Sequence, residues 1–265
     1  MSRSRWEQMK GKSIRLEEKS IQLEREAMDA VPLHRRLTEL QLSEMASDSI
    51  LNRASLCRLN PNDEFEVLDV GANQGDWALA MAALFPKARI LAIEADPKTF
   101  ETLRQRTANQ TQIHVTNLAI SSSDGEVTFH SHENPLLSSL LDLPDANGHT
   151  TTVRLPAMKL DDFAAQYSRG SVRLIKIDTE GNDLKVLRGA EELLNKPSLD
   201  YVIVEYGIHP ADRRHVHINE LTRFMRCKNF HLALLGGFGI YGEHLYGNAL
   251  YMRRNPEGEA VDSSR

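Results

Sequence analysis

Cysteine occurs only twice in these 265 residues, as Cys57 and Cys227. That is too few for a disulfide framework and fits a reducing cytoplasm. The longest run of apolar side chains, Trp77 to Phe85, stops at Pro86 after nine residues, whereas a membrane-spanning helix needs about 20. The stretch after Met1 lacks the apolar segment of a secretory signal. Basic residues are also in deficit, with 32 Lys and Arg against 37 Asp and Glu for a net charge of -5. Such a balance argues against an extended nucleic-acid footprint, which needs a basic face. The expected setting is cytoplasmic, with a small-molecule or carbohydrate substrate and neither nucleic acid nor membrane as partner.

A pattern for phosphate is missing too. Dinucleotide folds carry G-x-G-x-x-G where a strand turns into a helix, so that a pyrophosphate can approach the helix N-terminus. Here the turn reads Val67-Leu68-Asp69-Val70-Gly71-Ala72-Asn73-Gln74-Gly75, and Ala72 and Asn73 interrupt the pattern. What is present is a strand, a glycine turn with Gly71 and Gly75 free of a Cβ, and a helix from about Asp76. A second apolar strand, Ile90-Leu91-Ala92-Ile93, then ends in Glu94, placed to accept hydrogen bonds from both hydroxyls of a ribose. Asp69 adds negative charge beside the turn, which suits the sulfonium or amino group of S-adenosylmethionine better than a diphosphate. The turn alone also occurs for packing in parallel sheets, so the assignment to a nucleoside leans on Glu94.

Glycine is absent between Gly11 and Gly71, and helix formers dominate that region. Ile14, Ile21 and Met28 recur every seven residues, as do Leu16 and Leu23. Residues 1–60 are therefore read as a helical extension broken near Pro32, with a second helix from about Leu33 to Leu59. It is a candidate lid or homo-oligomer contact, or a solvated helix without special role. Asn60-Pro61-Asn62-Asp63 marks a turn into the main domain, residues 61–254, and residues 255–265 read as a disordered tail. Within the domain, strands are expected at Glu66 to Val70, Arg89 to Glu94, Gln112 to Asn117, Val172 to Asp178 and Tyr201 to Glu205. Helices follow the first, second, fourth and fifth, which specifies a parallel sheet covered on both faces. Val127 to His130 and Thr152 to Leu155 read as a paired, exposed set, and the long loop from Asn134 to Thr150 lies between them.

Two more strands end in acids, Leu174-Ile175-Lys176-Ile177-Asp178-Thr179-Glu180-Gly181 and Val202-Ile203-Val204-Glu205. Ligands of open parallel sheets bind beyond the carboxyl ends of the strands, the edge that Asp69, Glu94, Asp178 and Glu205 share. Four carboxylates there exceed what packing requires, since ionised acids gathered without cations or donors are costly. Glu180 has a simpler reading, as a charge at the N-terminus of the helix running to Leu194.

Taken together, D-V-G-A-N-Q-G, I-E-A-D-P, Lys159-Leu160-Asp161-Asp162-Phe163 before I-K-I-D-T-E-G, Leu187-Arg188-Gly189-Ala190 and V-I-V-E resemble the FkbM family of S-adenosylmethionine-dependent methyltransferases. The resemblance covers about Glu66 to Glu205. It implies an α/β class I methyltransferase fold, Rossmann-like, with a seven-stranded sheet, six strands parallel and the last, Tyr246 to Met252, antiparallel. By position it assigns Asp69, Gly71, Asn73, Gly75 and Glu94 to the cofactor, with the Leu118-Ala119 backbone near the adenine. It further implies O-methylation of a hydroxyl on a sugar or secondary metabolite, in natural-product or glycan tailoring.

Methyl transfer to a hydroxyl is an in-line displacement that needs the oxygen held, its proton removed and water excluded. A general base among Asp178, Glu205 and His209 serves one route. In the other, Asp178 and Glu205 hold Mg²⁺, which lowers the hydroxyl pKa. Lys176 shares a strand side with Asp178, as a neutralising charge or a core ion pair, and Ser138 and Ser139 are candidates for substrate contact. His215 and His217 rank below His209, which directly follows the fifth strand. Three alternatives stay open: N-methylation of an amide or amine, a nicotinamide-dependent oxidoreductase, and a non-catalytic assembly protein.

Overall fold

A computed structural model describes residues 56–132, 138–141, 150–241 and 244–254. Its sheet runs in the order β3-β2-β1-β7-β8-β10-β9. β1 (Glu66–Val70), β2 (Arg89–Glu94), β3 (Ile113–Asn117), β7 (Val172–Ile177) and β8 (Tyr201–Gly207) pair in parallel. β10 (His244–Arg253) runs antiparallel to both β8 and β9 (Phe230–Tyr241). Six strands thus point one way and the last is reversed, the class I methyltransferase arrangement. The twelve-residue β9 has no counterpart among the sequence-based strands, because its glycines at 236, 237 and 239 interrupt the apolar pattern.

Burial on both faces explains why the central strands are apolar throughout: every residue of β1 and of β8 is buried. Strand alternation then assigns the faces. Leu68, Leu91, Ile93, Ile175 and Val202 join one core with Leu160, Phe163, Val186 and Met225. Val67, Ile90, Leu174, Tyr201 and Ile203 join the other with Met81 and Phe85. Helices α1 (Asp76–Leu84), α2 (Pro97–Arg106), α4 (Asp183–Arg188), α5 (Glu191–Asn195) and α6 (Ile218–Cys227) follow the expected strands. α2 begins with Asp96 accepting from the Lys98 N–H at 3.2 Å and Pro97 in its first turn.

The helix expected to reach Leu194 is instead two short ones. Gly189 lies between α4 and α5, where a Cβ would come within 2.2 Å of the Ser121 carbonyl oxygen. That close approach belongs to a second, three-stranded sheet, β4-β6-β5. β5 (Gly125–His132) pairs antiparallel with β6 (Thr150–Lys159), as the alternating sequence indicates, and the short β4 (Ala119–Ser121) adds to β6 in parallel. Helix α3 (Leu160–Tyr167), unread from sequence, then leads into β7. Of the expected Leu33 to Leu59 helix only the end is described, and Leu56 to Arg58 form a turn there. The heptad-patterned residues and the tail lie outside the described residues. Among the described residues no helix is long and apolar enough to cross a membrane.

Candidate functional site

The carboxyl ends of β1, β2 and β7 meet at the Gly71 turn. Gly71 has φ +78°, and a Cβ there would lie 1.8 Å from the Asp178 carbonyl oxygen, so the β1 and β7 ends approach closely only with glycine. The Gly71 and Ala72 N–H groups donate to the Ile93 carbonyl at 2.9 and 3.0 Å. Asn73 holds φ 47°, a left-handed conformation sparsely used by side-chain-bearing residues, and so directs its own N–H onto Glu94 Oε2 at 2.8 Å. The Asp96 N–H donates to Glu94 Oε1 at 2.9 Å. Burial raises the Glu94 carboxyl to about 7, with those two N–H groups opposing the rise.

Beside Glu94 opens a cavity enclosing about 670 Å³, part of it open to solvent. Its apolar walls are Ile93, Leu118, Ala119, Ile120, Phe129 and Leu140, and its polar rim includes Asn73, Thr99, Ser138, Asp178, Glu180 and Asn182. A carboxylate at one end of an apolar slot, with backbone brought close by a glycine, fits a nucleoside: hydroxyls on the acid, a flat base between apolar walls.

The opposite side of the cavity is acidic. Lys176 is the cross-strand neighbour of Asp69, and its Nζ lies 3.5 Å from Asp69 and 3.0 Å from Asp178. Burial opposes that ammonium charge, but Asp178 and Asp69 outweigh it and hold Lys176 above the usual lysine range. Asp69 itself is fully buried, and burial lifts its carboxyl to about 6 against the pull of Lys176. Lys176 therefore neutralises the strand-end acids. Glu180, at φ 52°, pairs with Arg214 Nη1 at 2.8 Å. Burial, reinforced by Asp178, raises Glu180 to about 7. The charge expected of Glu180 at the helix N-terminus is supplied by Asp183 in the first turn, which also accepts from the Thr179 and Gly181 N–H groups of the preceding turn at 2.9 and 3.1 Å.

Behind Glu180 lies Glu205, buried, raised well above the carboxylate range first by burial and then by Asp178, Glu180 and Asp183. His215 Nε2 faces its Oε2 at 3.6 Å, and His215 Nδ1 meets Asp212 Oδ2 at 2.7 Å. The Tyr246 ring stacks on the imidazole at 4.6 Å between centroids. Gly207 makes room for this pair, since a Cβ would sit 2.6 Å from Asp212 Oδ2 and 3.1 Å from His215 Cβ.

Of the residues named from sequence, Gly71, Asn73, Glu94, Ala119 and Asp178 line the cavity. Asp69 is not among the residues that line it and lies fully buried against Lys176. Gly75, at φ +88°, packs the turn against α2, where a Cβ would reach within 2.6 Å of Leu103. His209 is exposed, accepts from the Ala211 N–H at 3.1 Å and stacks on His244. It stands outside the acidic group, and the histidine placed beside Glu205 is His215. Asp178 turns to Lys176, while the donors gathered within 4.8 Å of one another are Glu180, Glu205 and His215. Ser138 lines the cavity, and Ser139 Oγ donates to the Glu180 carbonyl at 2.7 Å. The signal for His215 was in the sequence as Asp212-x-x-His215, a carboxylate placed to orient an imidazole.

This sheet order with a glycine turn, a strand-end acid and a cavity between them is a class I methyltransferase fold. Residues 69–232 match the methyltransferase FkbM domain, and the chain belongs to that family. It is 30% identical over 159 residues to the hexuronic acid methyltransferase AglP of Haloferax volcanii, covering 58% of this chain and 62% of that one. With the 2-O-methyltransferase NoeI of Sinorhizobium fredii it shares 25% identity over 154 residues, 53% of this chain and 63% of that protein. The chain thus spans less than two thirds of these curated relatives. Among solved structures, M. capricolum TrmK in complex with S-adenosyl-homocysteine superposes with a TM-score of 0.45 at 10% identity, covering 78% of this chain and 70% of that one.

Proposed function

We propose that this protein transfers the methyl group of S-adenosylmethionine to a hydroxyl of a sugar or a secondary metabolite. The observation that carries the reading is Glu94, whose two oxygens are aimed into the cavity by the Asn73 and Asp96 N–H groups. Each carboxylate oxygen retains acceptor capacity after one backbone bond, so both ribose hydroxyls can be held. Leu118, Ala119, Ile120 and Phe129 would enclose the base, and the close Gly71–Asp178 approach would support the amino-acid end. When bound, S-adenosylmethionine supplies an electrophilic methyl carbon on a sulfonium. The chain's own work is to orient the acceptor oxygen, exclude water and take its proton.

Asp178 lines the cavity, is partly exposed, and is held by Lys176 at 3.0 Å, which makes it the proton acceptor within reach of a bound hydroxyl. The relatives AglP, a hexuronic acid methyltransferase, and NoeI, a 2-O-methyltransferase, support a carbohydrate hydroxyl. The test is incubation with methyl-labelled S-adenosylmethionine and a panel of uronic acids, neutral sugars, macrolide aglycones and peptides, followed by location of the label. Label on a sugar or metabolite oxygen is expected; label confined to nitrogen contradicts the proposal.

A further inference from the structure

Glu205 and His215 confront one another in a way that backbone and side-chain bonds do not resolve. Asp212 accepts from the Arg214 and His215 N–H groups at 2.9 and 3.1 Å and meets His215 Nδ1 at 2.7 Å. An acceptor so placed holds the ring proton on Nδ1, so that in the neutral imidazole the lone pair is on Nε2. That lone pair faces Glu205 Oε2, which is buried and has no hydrogen-bond donor among the described residues. Two acceptors turned toward each other need a proton or a cation between them. Glu180, held in a left-handed backbone conformation, brings a third donor to the same point.

We propose that Glu180, Glu205 and His215 form a divalent transition-metal site, with Asp212 as the residue that orients His215. Two carboxylates and one imidazole leave open positions on the ion and favour Mn²⁺, Fe²⁺, Co²⁺ or Zn²⁺ over Mg²⁺, which prefers oxygen ligands and retains its waters. A carboxylate on the far nitrogen of a ligating histidine is the usual second partner of such an imidazole. Because Glu180 also lines the cavity, the ion would stand beside the acceptor hydroxyl; that consequence rests on the methyltransferase reading, whereas metal binding does not.

The experiment is calorimetric titration of the full chain, stripped with a chelator, with Mn²⁺, Zn²⁺ and Mg²⁺ separately, in the absence of any nucleoside. One equivalent of Mn²⁺ or Zn²⁺ is expected, with Mg²⁺ weaker by about tenfold or more. Asp212→Asn, which keeps the shape of the side chain, should weaken Mn²⁺ about 10- to 100-fold, and Glu205→Gln should abolish stoichiometric binding. In Mn²⁺ electron-spin-echo spectra, coupling to one imidazole nitrogen should appear and vanish in His215→Gln. Absence of binding, equal affinity for Mg²⁺, or binding unchanged in both Asp212→Asn and Glu205→Gln would overturn the site and leave a proton shared between Glu205 and His215. S-adenosylmethionine binding measured on the same samples separates this outcome from failure of the methyltransferase reading.

Discussion

The two ends of this cavity solve opposite problems. At the Glu94 end every carboxylate oxygen already has a backbone donor, and the glycine turn is locked against β7 before any ligand arrives. At the Glu205 end a buried carboxylate oxygen has no hydrogen-bond donor among the described residues, and His215 Nε2 stands 3.6 Å from it. The first end is preorganised, so a ligand adds bonds to a finished frame. The second is left incomplete, and its stability depends on what fills it.

The sharpest way to break the comparison is Gly71→Ala. Backbone at 1.8 Å cannot yield as a flexible side chain does, and φ is +78°. The variant should lose on the order of 3 kcal/mol in a denaturant titration and with it the Glu94 end of the cavity. Next comes Glu94→Ala, which removes the two carboxylate oxygens proposed to hold the ribose hydroxyls. It should weaken nucleoside binding by about 100-fold or more while leaving Mn²⁺ binding unchanged.

Histidine substitutions sharpen the contrast at the other end. His215→Gln, through loss of a ligand of the proposed metal site, should lower methyl transfer by about 10- to 100-fold, whereas His209→Ala, on the surface, should stay within about twofold of the parent. Steady-state rates with a competent acceptor decide it, and equal effects would dissolve the distinction between the two loops.

The last contrast is in stability against pH. Glu94 and Glu180 sit at about 7 in the folded chain, against about 4.3 for a free glutamate. Between those values the folded state binds protons that the unfolded state has released. Their contribution is therefore full below about 4.3 and is lost as pH rises through about 7. Denaturation of the metal-free, nucleoside-free protein should show stability falling from pH 5 to 8, by about 2–3 kcal/mol per group. Glu94→Gln should flatten that slope.

The preorganised end was the legible one. Strand, glycine turn and strand-end acid are adjacent in sequence, and their spacing is set by the sheet, so Gly71, Asn73, Glu94 and Ala119 all fall on the cavity. Two neighbours from the same stretch lie off the cavity lining: Asp69 pairs across to Lys176, and Gly75 packs against Leu103. The incomplete end depends on a loop that returns beneath β8, which periodicity does not reveal. His209, next to the strand, drew attention, yet the chain folds back and delivers His215 six residues later. β9 escaped for a related reason, since glycines erase an alternation that pairing with β10 restores.

The most direct measurement is calorimetric titration of the purified protein with S-adenosylmethionine and with NAD, repeated on Glu94→Ala. Saturable binding of S-adenosylmethionine that Glu94→Ala weakens about 100-fold, with no heat from NAD, is the result the structure calls for. Binding of NAD in its place, or S-adenosylmethionine binding indifferent to Glu94, would contradict it.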